Sequence, residues 1–137
     1  MRAWPILLGL TAITLAPNAR AENCGNAPDM VSMNECLAKP YRRADDQLNV
    51  LYQQLIERLK KGGADWADTQ KALVAAQLAW IAFREAECAL VGSKTDGSFN
   101  TAITTSCLID LTTSRVNDFK RYLKCKEGEL SCPFPSK

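Results

Sequence analysis

The chain has 137 residues, 47% of them hydrophobic and 23% charged, with a formal net charge of +2 and no histidine. The lack of histidine removes the commonest general base and metal ligand. A near-balanced charge with no basic stripe interleaved with aromatics argues against nucleic acid as a partner.

The first residues carry Arg2, an apolar run from Trp4 to Leu15, Pro17 and then Ala19-Arg20-Ala21. A positive start, an apolar centre and a small-residue exit describe a secretory signal peptide over residues 1–21. The apolar run falls short of the roughly 20 residues that cross a bilayer. The mature chain would begin at Glu22 and form one domain over 22–137, since 116 residues (137 less 21) suffice for one core and not two. Loss of Arg2 and Arg20 leaves 17 − 2 = 15 basic residues against 15 acidic ones, so the mature protein is close to neutral.

All six cysteines (Cys24, Cys36, Cys88, Cys107, Cys125, Cys132) fall in the mature part. An even count in an exported chain reads as disulfides. The rival reading, a zinc site, lacks any C-x-x-C pair. Nothing points to a metal or a cofactor. No small-residue box for lipid attachment precedes Cys24, so a soluble periplasmic or secreted protein with no membrane span is expected.

From residue 24, Asn26 and Asp29 are candidate caps for a short N-terminal helix with Met30, Met33 and Leu37 at helical spacing. Pro40 should interrupt or kink that piece, or begin the next helix. Over Tyr41–Lys61, apolar residues recur at Tyr41, Ala44, Leu48, Leu51, Tyr52, Leu55 and Leu59, one face of a helix. Arg42, Arg43, Asp45, Asp46, Glu57, Arg58 and Lys60 read as its solvated face. Gly62-Gly63 should stop it.

Asp65 or Asp68 is the expected cap of a second helix over about 66–91, with Leu73, Ala76, Gln77, Trp80, Phe83, Glu87 and Val91 facing inward. Its stretch from Lys71 to Cys88 reads as the spine of the domain. Gly92 ends it, and Ser93–Ser98 is the one clear loop between long helices. A third helix should start near Ser98 or Asn100 and reach Lys124, presenting Ile103, Cys107, Leu108, Leu111, Arg115, Phe119, Tyr122 and Leu123. The tail 125–137, with Gly128, Pro133 and Pro135, should be irregular. The fold class is all-α: a small disulfide-stapled three-helix bundle with a short N-terminal helix and an irregular C-terminal tail.

Short connections make consecutive helices antiparallel. Folding the chain back near residue 63 sets Cys36 close to Cys88, and folding it near residue 95 sets Cys88 close to Cys107. Cys125 lies eighteen residues past Cys107, about 27 Å along a helix at 1.5 Å per residue. That is far beyond the roughly 7 Å between alpha carbons that a disulfide allows. Cys125 is therefore expected to pair with Cys132. Of the three pairings left to Cys24, Cys36, Cys88 and Cys107, Cys24 with Cys36 is the least favoured, because a helix holds its ends apart. The other two remain open.

Gln77, Arg84, Glu87 and Arg115 sit on or beside apolar faces. They can be read as a polar pocket with Glu87 as acid or base. They can also be read as a structural network in which Arg84 or Arg115 binds Glu87 and helix-end carbonyls. A buried charge needs such a partner, and a carboxylate beside arginines is too acidic for a general base, so the structural reading is preferred. Ser106 and Ser114 have no histidine to form a triad.

Four motifs occur in order: Met33-Asn34-Glu35-Cys36; Ala44-Asp45-x-x-Leu48-Asn49-x-x-Tyr52; Ala76-Gln77-x-x-Trp80-Ile81-x-Phe83-Arg84-x-x-Glu87-Cys88; and Cys107-x-x-x-Leu111-Thr112-x-x-Arg115. Together, over about residues 24–123, they resemble the LprI-like lysozyme inhibitor family. The resemblance implies a periplasmic binding protein, not an enzyme, that occludes a muramidase active site. Under it, the loop residues Ser93, Lys94, Asp96 and Ser98 are the candidate contacts, with Lys94 facing the two acids at a glycosidase centre. The same loop also reads as a solvated connector. An envelope assembly module with another protein partner is the alternative, as is a binder of peptidoglycan fragments at Gln77, Arg84 and Glu87. The sequence leaves the oligomeric state open.

Overall fold

The computed structural model describes residues 23–126 and 128–134; the expected signal peptide lies outside them. Cys24–Asn26 form a single 3-10 turn, and the chain then enters α1 (Met30–Lys61). Asp29 caps α1, its carboxylate accepting the Ser32 amide at 2.8 Å and satisfying one of the orphan donors of the first turn.

α1 runs for 32 residues through Pro40, so the expected short N-terminal helix is the first part of one long helix. Pro40 has no amide to bond the Cys36 carbonyl, at a cost of about 3 kcal/mol in a helix interior. The helix persists because it is held on both sides. The Cys24–Cys36 bridge clamps it before the proline, and Leu48, Leu55, Ile56 and Leu59 bury beyond it.

The Gly62 amide bonds the Leu59 carbonyl, and Gly63 takes the left-handed conformation at φ +70°. Trp66 lies so close to Gly62 that no side chain fits there. A 3-10 turn over Gly63–Trp66 leads into α2 (Ala67–Gly92). Neither candidate acid caps it: Trp66 holds the cap position with no side-chain bond, and Asp68 instead pairs with Lys71 at 3.1 Å. α3 spans Gly97–Tyr122. No strand occurs among the described residues, so the fold is an all-α bundle of three long helices.

α1 and α3 run parallel, with α2 antiparallel to both. Near one end Asn34 Nδ2 donates to the Ser98 carbonyl at 3.1 Å, and near the other an Arg58 guanidinium nitrogen donates to the Leu123 carbonyl at 3.0 Å. The α1–α3 pair forms the most extensive interface, and α2 leans mainly on α3. The Lys71–Cys88 stretch is therefore not the spine. Its inward line carries polar Gln77 and Arg84, whereas Phe83 is 53% exposed and Ala76 and Val91 also face solvent.

The main core lies toward the α1–α2 turn. Leu48, Leu55, Ile56 and Leu59 of α1, Leu73 of α2 and Val116 and Phe119 of α3 meet there with Cys125 and Phe134 of the tail. Each fully buried large apolar side chain contributes roughly 1.5–3 kcal/mol. An aromatic ladder carries the tail back onto the bundle. Tyr52 stacks on Phe119 at 6.2 Å between centroids, Phe119 meets Tyr122 at 6.3 Å, and Tyr122 stacks on Phe134 at 5.1 Å. The described residues of the tail form no regular helix, yet Phe134 is buried.

Three disulfides join Cys24 to Cys36, Cys88 to Cys107 and Cys125 to Cys132, with alpha carbons 5.6, 5.5 and 5.7 Å apart. The first corrects the expectation from the sequence. A helix does separate its own residues, but Cys24 lies ahead of it on the 3-10 turn. The chain bends back between Ala27 and Asp29 and lays Cys24 against the second turn of α1.

Candidate functional site

Two arrangements of polar side chains stand out. The first is a column between the helices. Arg84, only 7% exposed, donates through Nη1 to Asp45 Oδ1 at 3.2 Å and to Thr112 Oγ1 at 3.1 Å, and through Nη2 to Glu85 Oε1 at 2.8 Å. Its guanidinium lies 5.1 Å from the centre of the Trp80 ring and 5.9 Å from that of Tyr41. Arg115 approaches Trp80 as well, at 5.8 Å, covers Phe119 at 4.7 Å, and donates through Nε to Gln77 Oε1 at 3.2 Å.

Burial alone would lower the Arg84 pKa, but its bonds to Glu85 and Asp45 outweigh that and raise it above the ordinary value. The charge is thus fixed. Burial pushes the Tyr41 phenol up as well, against the pull of Arg84. The column is a packed, satisfied network.

The column joins three of the four polar residues read from the sequence and omits the fourth. Glu87 makes no hydrogen bond or ion pair among the described residues and lines a surface groove instead. The acids that hold Arg84 are Asp45 and Glu85. Asp45 reads from the sequence as part of a solvated face, yet the antiparallel α1–α2 register brings it to Arg84.

The second arrangement is the tip between α2 and α3. Only residues 93–96 are non-helical there, and they are tightly braced. The Gly92 carbonyl accepts from the Thr95 amide at 3.0 Å, from Thr95 Oγ1 at 2.9 Å and from Asn100 Nδ2 at 2.8 Å. The same Asn100 amide group reaches the Thr95 carbonyl at 3.2 Å. Gly92 is needed because a side chain there would collide with Thr104 and Asn100. Ser93, Lys94 and Asp96 are exposed on this turn. Ser98 belongs to the first turn of α3, where its carbonyl accepts from Asn34.

Beside the tip, a groove of about 720 Å³ runs between the start of α1, the end of α2 and α3. Met30, Met33, Val91, Phe99, Ile103 and Leu111 supply its apolar walls, and the carboxylates of Glu87 and Asp110 its charge. Asp110, like Glu87, has no bonding partner among the described residues. Phe99 is 59% and Val91 49% exposed, one on each side of the turn. The sequence signal for this groove was weak, because its walls come from three helices and none of them shows it alone. Among the described residues no three His, Cys, Asp or Glu side chains gather as a metal site, and no helix is long and apolar enough to cross a membrane.

Comparison with known proteins bears on what these features serve. The chain is 30% identical over 136 residues to uncharacterized protein R02472 of Rhizobium meliloti, covering 92% of this chain and 98% of that one. It is 29% identical over 111 residues to uncharacterized protein YecT of Escherichia coli, covering 74% of this chain and 68% of that one. No solved structure matches. Residues 21–119, spanning α1, α2 and nearly all of α3, match the family described as lysozyme inhibitor LprI, and the chain belongs to that family.

Proposed function

We propose that this protein is exported, loses residues 1–21, and inhibits a lysozyme by docking the α2–α3 tip and its flanking groove over the muramidase cleft. Family membership supports the inhibitor role. The observation that carries the choice of surface is the braced turn itself. Lys94 and Asp96 are presented on a backbone already fixed by four hydrogen bonds, so little ordering entropy is lost on binding. Lys94 has no partner among the described residues and can face the two acids of a glycosidase centre. Phe99 and Val91 add apolar contact beside it, and Glu87 and Asp110 complement a basic enzyme surface.

This reading assigns no catalytic residue. Ser106 is tied to the Ala102 carbonyl of its own helix at 2.9 Å, and the chain offers no histidine to activate it. The three bridges suit an oxidising compartment. The test is cell-wall lysis by several lysozymes with and without the oxidised mature protein. At least one lysozyme should be slowed at micromolar inhibitor, and no slowing of any at micromolar excess would sink the proposal.

A further inference from the structure

The solvent side of α2 is as apolar as a buried surface. Leu78, Phe83 and Leu90 are 65%, 53% and 66% exposed there. Between them lie Ala72, Ala75, Ala79, Ala82, Ala86 and Ala89, every one exposed. From residue 72 to 90 the only charged exposed side chain is Glu85, at the edge of this face; Lys71 lies just before it. A contiguous apolar outer face of this kind marks a surface that another chain covers.

We infer that this face is covered by a second copy of the chain, the two α2 helices packing antiparallel about a two-fold axis. The alanines recur in steps of three and four, the seam of a coiled coil, and that spacing reads the same in both directions. A two-fold axis midway between Trp80 and Ile81 sets Ala72 of one copy against Ala89 of the other, Ala75 against Ala86, and Ala79 against Ala82. It also sets Leu78 level with Phe83, so large side chains flank small ones and the backbones can approach to about 8 Å. Isologous contacts need this kind of self-complementary surface.

Charge selects the antiparallel orientation. It brings Lys71 of one copy within about five residues of rise, roughly 7.5 Å, of Glu85 of the other, a span their long side chains can bridge. A parallel pair would place Lys71 against Lys71 and Glu85 against Glu85. The face offers on the order of 500 Å² per copy, so a pair buries about 1,000 Å², the lower bound for a specific interface. Association should accordingly be weak, with a Kd on the order of 10–100 µM.

The test is the mass of the oxidised mature protein in solution, by sedimentation and light scattering from 5 to 500 µM. The mass should rise from one chain to two. Ala79→Glu and, independently, Leu90→Lys should stay single chains throughout, with helicity and melting at 5 µM like the unsubstituted protein, because both positions face solvent in the single chain. Lys71→Glu, which faces Glu85 of the other copy and leaves the Arg84 network alone, should weaken pairing several-fold, and Lys71→Arg should keep it. A single chain at 500 µM, or an Ala79→Glu protein that pairs as well as its parent, would overturn the inference. Pairing by the parent with no response to Lys71→Glu would overturn the antiparallel register.

Discussion

Arg84 on α2 reaches Asp45 on α1 at 3.2 Å, and the same guanidinium nitrogen donates to Thr112 on α3 at 3.1 Å. One side chain therefore ties all three helices together. Arg84→Ala removes that tie. Asp45 and Glu85 are 38% and 57% exposed and can turn to water, so the loss is smaller than the full penalty of orphaning a buried charge. The hydroxyl of Thr112, 0% exposed, has no such escape. We expect a loss of about 2–3 kcal/mol in urea unfolding. Arg84→Lys should recover less than half of it, because a point charge cannot fork to Asp45 and Thr112 while lying over Trp80.

Pro40 supplies the opposite test. It sits inside α1 with no amide to give, so Pro40→Ala adds one helical hydrogen bond and a better helix former. The proline also restricts the unfolded chain, which offsets part of the gain. The expected net effect is a stabilisation of about 1–2 kcal/mol by urea unfolding, and a destabilised variant would mean that the surrounding bundle is built around the proline.

These two residues mark how far the sequence could be read. The period of three and four over Leu48, Leu55 and Leu59 identified the α1 face correctly, because apolar burial is a local pattern along one helix. Proline propensity failed at Pro40, because flanking tertiary contacts outweigh one lost bond. The antiparallel register was legible enough to set Cys88 beside Cys107. The same register brings Asp45 to Arg84, but by composition alone Asp45 reads as part of a solvated face and Arg84 or Arg115 as the partner of Glu87. Phe83 was placed inward by a stripe that drifts around α2. Arg84 and Cys88, one and five residues on, take the inward positions instead. The groove at Met33, Glu87 and Phe99 leaves only a weak signal in the sequence, being a product of three helices meeting.

Asp29 predicts how the start of α1 responds to acid. Its bond from the Ser32 amide holds the carboxyl below its ordinary value near 3.8. The folded state thus favours the charged form, so this contribution to stability is present above the unfolded pKa. It is lost as pH falls through the lower folded value. Asp29→Ala should therefore be less stable than the parent at pH 6, and the two should converge as pH falls through the lowered value of the Asp29 carboxyl. The urea midpoint of both proteins between pH 2 and 6 reads this directly. A gap that stays constant across that range would mean that the carboxylate charge plays no part in capping α1.

The proposed docking end makes the last prediction, and it separates charge from apolar contact. Lys94 is exposed and has no partner among the described residues, so Lys94→Glu should leave folding untouched while placing a negative charge before the two acids of a lysozyme centre. Desolvated like charges at an interface cost several kcal/mol, so inhibition should weaken by at least a hundredfold. Phe99→Ser, on the groove side, should weaken it by about tenfold through lost apolar area, with little change in salt dependence. Glu87→Gln and Asp110→Gln should act mainly on the association rate, and their effect should shrink as salt rises. If Lys94→Glu inhibits as well as the parent while Phe99→Ser does not, the groove carries the contact and the turn is only a connector. If neither substitution matters in a protein that still inhibits, the contact lies elsewhere on the bundle and this surface is the wrong one.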